Sequence, residues 1–222
     1  MSDARRRVIA IDGPAGAGKS TIARAVARAL GMQYLDTGAM YRAITVLANS
    51  RGLPLADNEV LTKVATEAEL IVGLDSVSID GLDVTEEIRT PETSKLVSIV
   101  ATLSGVRSEL RRRQQAWVDE RGAGVVEGRD IATVVFPEAL LKVYLTASPR
   151  IRAERRVAQI GGDVEAIERE ISQRDAVDST RADSPLSKAS DSVVVDTSNR
   201  GINEVTAEVV RLYEDRLRSW RG

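Results

Sequence analysis

The stretch "RRVIAIDGPAGAGKSTIARAVARALG", residues 6–31, decides the fold. Its apolar beginning predicts a buried strand that ends at Asp12. The next residues, Gly13 to Ser20, fit the pattern G-x-x-x-x-G-K-[ST], which requires a strand before it and a helix after it. The helix that follows is predicted to end at Gly31. Its apolar face consists of Ile22, Val26, Ala29 and Leu30. We therefore predict a strand, a glycine-rich loop and an amphipathic helix in direct succession.

A glycine-rich loop in this context binds the phosphates of a nucleoside triphosphate. Its backbone N–H groups curl around phosphate oxygens, and the helix N-terminus adds positive charge. Lys19 would reach the β and γ phosphates, and Ser20 would offer its hydroxyl to Mg²⁺. The sequence has no guanine-reading N-K-x-D tetrapeptide, which argues against a GTPase and favours a small-molecule kinase. The predicted ATP-binding residues are Gly13, Pro14, Ala15, Gly16, Ala17, Gly18, Lys19, Ser20 and Thr21.

Composition limits both the fold and the chemistry. A chain of 222 residues with 43% apolar content can bury one sizeable core with an inserted subdomain. It contains neither cysteine nor histidine, so carboxylates, hydroxyls, arginines, lysines and hard cations must carry the chemistry. A net charge of −2 argues against a general nucleic-acid binder. With no membrane-length apolar run and no signal-peptide core, we expect a cytoplasmic protein without membrane contact.

Arginine supplies 26 of the 31 basic residues. A guanidinium binds phosphate through two hydrogen bonds, which an ammonium cannot do in the same way. Codon composition explains the excess equally well, so the bias alone does not indicate phosphate recognition.

The remaining apolar runs alternate with helical patterns. This rhythm predicts an α/β fold with a parallel sheet flanked by helices. A closing amphipathic helix is predicted from Ile202 through Leu217. The predicted strands after the first are residues 34–35, 124–128, 140–145 and 192–196.

Two segments depart from this rhythm. Residues 59–106 combine short strands, broken by Asp, Gly and Ser, with a returning helix, and they predict a small antiparallel insertion. Residues 150–173 predict two helices broken at Gly161 and Gly162, which suggests a lid; Ser148 is its predicted N-cap. The "RRR" run at 111–113 is expected to be a solvated helix face. The core then consists of residues 1–58, 107–149 and 174–222.

Two polar motifs follow predicted strands, "LDTGAMYR" at 35–42 and "EGRD" at 127–130. Ligands of doubly wound sheets bind at the carboxyl ends of the strands, so both motifs should face the glycine-rich loop. Arg42 and Arg129 would then both bind an acceptor phosphate, and the hydroxyl of Thr37 would donate a hydrogen bond to it. Two structural alternatives remain open. The Asp36-Thr37-Gly38 turn would serve as a helix cap, and Arg129 with Asp130 would form a salt bridge that fixes the loop.

Asp130 indicates which base the acceptor carries. A carboxylate accepts hydrogen bonds from the exocyclic amine of cytosine and repels the O4 of uracil at the same position. Ser98 and Arg107, in and beside the insertion, would complete the contacts to the edge of the base.

Four motifs in their order and spacing resemble one known family. "IAIDGPAGAGKST", "YLDTGAMYRA", "VVEGRDIATVVFP" and "RDAVDSTRADSPL" closely resemble the bacterial cytidylate kinases, which are nucleoside monophosphate kinases. The likeness covers essentially the whole chain, and the last two motifs are the most particular to the family. The resemblance implies a P-loop kinase core with a five-stranded parallel sheet, a nucleotide-monophosphate insert and an arginine-bearing helical lid.

The resemblance also implies roles for individual residues. Thr37, Arg42, Arg129 and Arg181 would hold the acceptor phosphate. Ser98, Arg107 and Asp130 would read cytosine, Asp178 would bind the sugar hydroxyls, and Tyr41 would complete the CMP site. Lys19, Arg129, Arg174, Arg155, Arg156 and, less directly, Arg152 would supply charge to the transferring phosphoryl group. For the lid arginines, a solvated helix face is the alternative interpretation.

The function expected from the resemblance is transfer of the γ-phosphoryl group of ATP to CMP or dCMP, giving CDP or dCDP. We expect direct in-line transfer by a monomer that uses Mg²⁺ and small-molecule substrates. A phosphate acceptor is already ionised near neutral pH, so the absence of histidine is no obstacle. Two alternatives remain: a P-loop kinase of another small acceptor, such as UMP, shikimate or gluconate, and a slow ATP-hydrolysing switch that binds a protein.

Overall fold

The computed structural model describes residues 7–180 and 183–221. The described chain forms two compact units: one contains the chain up to Tyr34 and from Val118 onward, and the other is Leu35–Trp117. The strands are β1 (Val8–Asp12), β2 (Tyr34–Asp36), β3 (Leu70–Val72), β4 (Val77–Ile79), β5 (Leu82–Asp83), β6 (Gly124–Gly128), β7 (Leu141–Thr146) and β8 (Val193–Asp196). The α-helices are α1 (Lys19–Leu30), α2 (Thr37–Ser50), α3 (Asn58–Glu67), α4 (Pro91–Val100), α5 (Ser104–Arg121), α6 (Pro149–Ile160), α7 (Val164–Thr180) and α8 (Ile202–Arg221). A 3-10 turn spans Glu87–Arg89, and a π-turn spans Ile131–Val135.

The larger sheet has the strand order β2-β6-β1-β7-β8 and is parallel throughout. β1 lies at its centre, where Asp12 pairs with Gly128 on β6 and with Tyr144 on β7. The whole of β1 is buried, as the continuous apolar run predicts. The predicted α/β class and parallel sheet are confirmed.

One face of this sheet is covered by α1 and α8. Ile9 and Ile11 of β1 pack in one core cluster with Ile22 and Val26 of α1 and Val209 of α8. Ile22 and Val26 of the predicted α1 face are buried, and Leu30 packs against the cluster. The prediction is wrong for Ala29, which is exposed; Ala23 and Ala27 are buried instead. The predicted closing helix is confirmed. Because this cluster fixes α1 against the sheet, it also fixes the loop that precedes α1.

Glycine is required where the loop leaves the sheet. Gly13 has φ +151°, and a Cβ atom there would lie 2.1 Å from the carbonyl oxygen of Leu145. Any side chain at this position would collide with backbone. At the other end of α1, Gly31 has φ +63°, and its N–H closes the last turn, as predicted for the helix stop.

α6 and α7 form a helical hairpin. Ser148 is the N-cap of α6 and accepts a hydrogen bond from the N–H of Ile151 at 3.4 Å. The hairpin turns at Gly161 and Gly162, both with positive φ, and it has a small core of its own around Ala153 and Ile171. The predicted helix start and the predicted break are both confirmed.

The unit Leu35–Trp117 contains α2, α3, α4 and the antiparallel sheet β3-β4-β5. The predicted antiparallel strands and the helix after them are confirmed. The prediction of a solvated face at 111–113 is wrong for Arg113, whose guanidinium donates to the carbonyl oxygens of Ala68 at 2.9 Å and Thr66 at 3.0 Å. Arg113 thereby ties α5 to the end of α3, a contact between residues far apart in sequence.

Helix α3 offers a test of capping. The Asp57 carboxylate accepts hydrogen bonds from the N–H groups of Glu59 and Val60, both at 3.0 Å. We expect Asp57→Ala to lower the free energy of unfolding by about 1 kcal/mol, because both N–H groups lose their acceptor. Asp57→Asn keeps an acceptor oxygen and should stay within about 0.5 kcal/mol of wild type. Urea unfolding checks both variants, and equal losses would show that the cap does not act through hydrogen bonding.

None of the described helices combines the length and apolarity needed to cross a membrane.

Candidate active site

The glycine-rich loop joins the carboxyl end of β1 to the N-terminus of α1. Lys19, the first residue of α1, turns back over this loop and donates from Nζ to the carbonyl oxygen of Pro14 at 2.9 Å. Ser20 and Thr21 follow in the first helical turn and are exposed. A buried cation and exposed hydroxyls thus stand at the positive end of a helix, where phosphate binds readily.

Three cations influence one another around the loop. Burial lowers the pKa of Lys19 to about 7, the positive charge of Arg129 lowers it too, and the carboxylate of Glu127 opposes them. Arg174 of α7 adds to the lowering. Three cations and several carboxylates thus lie beside a loop whose helix N-terminus favours an anion.

Arg129 directly follows β6 and points at the glycine-rich loop. Its Nη1 donates to the carbonyl oxygen of Gly13 at 2.8 Å, and its Nε donates to Asp178 Oδ2 at 2.9 Å. Burial lowers the pKa of Arg129, but the carboxylates of Asp178, Asp175 and Glu127 together outweigh burial and raise the pKa above its ordinary value. Arg129 does form an ion pair, and its partner is Asp178 of α7 rather than its neighbour Asp130.

Asp130 is buried and stands at the N-cap position of the π-turn. The amides that follow it, those of Ile131 and Ala132, both donate to the carboxylate of Asp12 at the end of β1. From the sequence alone, Asp12 is predicted only as the end of a strand. Its signal was visible nonetheless, because it is the one charged residue of an otherwise apolar strand.

The α6–α7 hairpin binds both backbone polar groups of one residue of the glycine-rich loop, Ala15. The N–H of Ala15 donates to Asp175 Oδ1 at 3.1 Å, and the carbonyl oxygen of Ala15 accepts from Arg152 Nη1 at 2.9 Å. Arg152 and Asp175 also pair with each other. The solvated-face interpretation is therefore wrong for Arg152, which is buried and hydrogen-bonded on both sides to protein groups.

The other two lid arginines with a predicted role are Arg155 and Arg156, and both are half-buried. Arg155 donates from Nη1 to Thr197 Oγ1 at 2.9 Å, and that hydroxyl in turn donates to the carbonyl oxygen of Ala17. Arg155 is therefore connected to the glycine-rich loop through one residue after β8. Arg156 makes no hydrogen bond to any part of the chain that the structure describes.

Five of the predicted acceptor residues lie in the unit Leu35–Trp117: Thr37, Tyr41, Arg42, Ser98 and Arg107. Asp36 caps α2 through the N–H of Ala39 and pairs with Arg42 at 3.2 Å, so the capping interpretation of this turn is confirmed. Arg107 is buried over the ring of Tyr41, 5.8 Å from its centroid. Of the remaining two residues, Thr37 is buried at the start of α2 and Ser98 is half-buried on α4.

The sequence model of the cytidylate kinase family matches residues 9–215. The chain belongs to the cytidylate kinase family. The match takes in both the glycine-rich loop and the segment around Arg129 and Asp130 that meets it.

Similarity to individual cytidylate kinases extends over nearly the whole chain. A cytidylate kinase of Desulforamulus reducens is 48% identical over 94% of this chain and 97% of its own length. One of Streptomyces avermitilis is 45% identical over 94% of this chain and 93% of its own length. A bifunctional pantoate ligase/cytidylate kinase of Synechococcus is 48% identical over 97% of this chain, which spans only 42% of that longer protein.

Solved structures that resemble this member of the cytidylate kinase family share its fold. TT1252 from Thermus thermophilus is 21% identical, with a TM-score of 0.50 over 95% of this chain and 97% of that one. An uncharacterized protein from Eubacterium ventriosum is 10% identical, with a TM-score of 0.54 over 95% of this chain and 99% of that one.

Arg181, predicted to hold the acceptor phosphate, lies outside the described residues. Glu127 is buried on β6 and accepts a hydrogen bond from the hydroxyl of Tyr34 on β2. Tyr34 has no predicted role, because nothing in its local sequence indicates a partner 93 residues away.

Proposed function

We propose that this protein transfers the γ-phosphoryl group of ATP directly to CMP or dCMP, giving CDP or dCDP. The observation that carries the proposal is the bond from Arg129 Nη1 to the carbonyl oxygen of Gly13, 2.8 Å long. It joins the acceptor motif to the donor loop at neighbouring strand ends, in a chain of the cytidylate kinase family. Transfer in line requires donor and acceptor phosphates to meet at such a junction.

The donor would lie with its phosphates along Gly13 to Thr21. The amides of the loop and the N-terminus of α1 would bind phosphate oxygens, and Lys19 would contact the β and γ phosphates. Nucleotide phosphates would replace the Pro14 carbonyl as the partner of Lys19 Nζ. Negative charge beside this buried ammonium favours its charged form and raises its pKa.

The residues present fit a Mg²⁺ ion bound together with the nucleotide. Ser20 presents an exposed hydroxyl beside Lys19, and the described residues contain no cluster of three acidic side chains that would form a dedicated cage. Mg²⁺ is typically held by few protein ligands together with substrate phosphates and waters. When bound, it would supply charge neutralisation at the phosphate oxygens.

On the acceptor side, we propose that Arg129 binds the phosphate of CMP, with Thr37, Arg42 and Arg181, and that Tyr41 completes the CMP site. Asp130 would accept from the exocyclic amine of cytosine, with Ser98 and Arg107 completing the base contacts. Asp178 would bind the sugar hydroxyls, and its bond to Arg129 would align the sugar and phosphate sites.

Catalysis would come from positioning and charge. Lys19, Arg129 and Arg174 already concentrate positive charge at the loop, and Arg155 and Arg156 would add to it from α6. The acceptor phosphate is ionised near neutral pH, so no general base is required. The hairpin α6–α7 would exclude water from the transferring phosphoryl group.

One assay tests the proposal. ADP release from ATP is followed with CMP, dCMP, UMP, AMP, GMP, shikimate and gluconate as acceptors, each against a blank without acceptor. We expect CMP and dCMP to be the best acceptors. Faster release with shikimate or gluconate would indicate another small-molecule kinase, and slow release independent of any acceptor would indicate a regulatory ATPase. The cytoplasmic location and the monomeric state stay predictions.

Asp130→Ala tests the base-reading role. We expect the ratio of kcat/KM for CMP over UMP to fall about tenfold, because one good contact to a base is worth roughly 1–3 kcal/mol. Most of the change should appear as a loss with CMP. Asp191→Ala is the control, since Asp191 is an exposed acid before β8, at the opposite edge of the sheet. An unchanged ratio in Asp130→Ala would remove the assignment of Asp130 to the base.

A further inference from the structure

Asp12 is a charge buried at the end of an apolar strand. It is 1% exposed, and the four residues of β1 before it are each 0% exposed. Burial raises the pKa of Asp12 to about 6, against the lowering effect of two backbone hydrogen bonds. An apolar residue in its place would avoid this desolvation. Asp12 has no role in the proposed reaction, so the burial of its charge must have another explanation.

Both oxygens of Asp12 are used by one short segment. Oδ1 accepts from the N–H of Ile131 at 2.9 Å, and Oδ2 accepts from the N–H of Ala132 at 2.7 Å. These amides open the π-turn, where backbone N–H groups lack partners within the turn itself. The cap therefore comes from a residue more than a hundred positions earlier, on the neighbouring strand.

Further bonds join the same two chain segments. Asp12 pairs with Gly128 in the register of β1 and β6, and Arg129 Nη1 donates to the carbonyl oxygen of Gly13. Both neighbours of Asp130 are therefore hydrogen-bonded to the segment 12–13: Arg129 bonds to Gly13, and Ile131 bonds to Asp12. Its own carbonyl oxygen accepts from the N–H of Val134 at 2.9 Å inside the π-turn. The position of Asp130 relative to the glycine-rich loop is set by these bonds.

We propose that Asp12 is a positioning residue for the acceptor. Its carboxylate fixes the start of the π-turn, and so places Asp130 for the base and Arg129 for the phosphate at a defined distance from the donor loop. The proposal rests on the proposed function, since it assumes that Asp130 reads cytosine. It makes the selectivity for CMP depend on a residue that does not touch the base.

The test is Asp12→Asn, which keeps the shape of the side chain and one acceptor oxygen. Its NH₂ group would face one of the two N–H donors, so one hydrogen bond is lost. We expect KM for CMP to rise about tenfold, the size of one hydrogen bond to a charged group. The ratio of kcat/KM for CMP over UMP should fall by about fivefold, while KM for ATP changes less than about twofold.

Asp57→Asn is the matched control, because Asp57 also accepts two consecutive N–H groups at a helix start. It should leave KM for both substrates and the CMP to UMP ratio unchanged. That ratio does not depend on how much enzyme is folded, so partial unfolding of Asp12→Asn does not obscure it. If Asp12→Asn does not fold, Asp12→Ser, whose hydroxyl can accept one N–H, takes its place.

Two results would overturn the proposal that Asp12 positions the acceptor-binding residues. A folded Asp12 variant with the wild-type KM for CMP and the wild-type ratio overturns the proposal, and so do equal rises in KM for ATP and CMP, which indicate general structural damage. Wild-type enzyme is assayed in parallel. If wild type itself shows no preference for CMP, the proposed function fails first, and the positioning role falls with it.

Discussion

Lys19→Ala is expected to lose about a thousandfold in kcat with every acceptor, the upper range for removal of one preorganised charge from an active site. Lys19 is buried in the glycine-rich loop with its Nζ 2.9 Å from the Pro14 carbonyl oxygen. The segment Gly13 to Thr21 contains no other lysine, so we expect its contact with the β and γ phosphates to have no substitute there. Steady-state ADP release with CMP and with UMP measures the loss, which should be equal for the two acceptors.

The stability of Lys19→Ala separates a catalytic loss from a folding loss. Burial and Arg129 both disfavour the charged ammonium, so its removal should leave the thermal midpoint unchanged or raise it. Lys63→Ala, at an exposed lysine of α3, is the control and should have wild-type activity. A Lys19→Ala enzyme that is folded and keeps a tenth of wild-type kcat would contradict the role of this lysine.

Arg129→Ala should lose both activity and stability. The truncation removes one charged donor from the acceptor phosphate, for which we expect a loss of about 10²–10³ in kcat/KM for CMP. It also takes one charged donor away from the buried carboxylate of Asp178, since Nε of Arg129 lies 2.9 Å from Asp178 Oδ2. Breaking one side of such a pair costs about 3 kcal/mol of unfolding free energy. Activity assays and urea unfolding measure the two losses.

A double variant distinguishes these two effects. In Arg129→Ala/Asp178→Asn the negative charge of residue 178 is removed as well, so most of the lost stability should return, whereas the loss of activity should remain or deepen. Arg112→Ala, at an exposed arginine that pairs with Glu109 of the same helix, is the control. Recovery of activity together with stability would mean that Arg129 acts through folding and not on the acceptor.

The backbone elements were predictable because their signals are local. The strand before the glycine-rich loop, the stop of α1 at Gly31 and the start of α6 at Ser148 each depend on a few adjacent residues. Chain reversal at Gly161 and Gly162 follows from residues that tolerate positive φ. Strand alternation then fixes a parallel sheet, and the carboxyl ends of its strands place the donor loop beside Arg129.

Local sequence patterns did not predict contacts between residues that are far apart in the sequence. Periodicity placed Arg113 and Arg152 on helix faces where charge is usually solvated, yet both guanidiniums donate to carbonyl oxygens of other elements. The partner of Arg129 could not be inferred either, because the choice between Asp130 and Asp178 depends on where α7 packs. The roles of Thr37, Arg42, Ser98 and Arg107 rest on the resemblance and on the proposal.

The hydrogen bonds between the α6–α7 hairpin and Ala15 should affect the affinity for a nucleotide. Arg152 and Asp175 hold both polar groups of this residue before any nucleotide arrives. The conformational entropy of that part of the loop is therefore lost when the chain folds and not when ATP binds. Affinity for the donor should in this way be coupled to the integrity of a salt bridge that need never contact ATP.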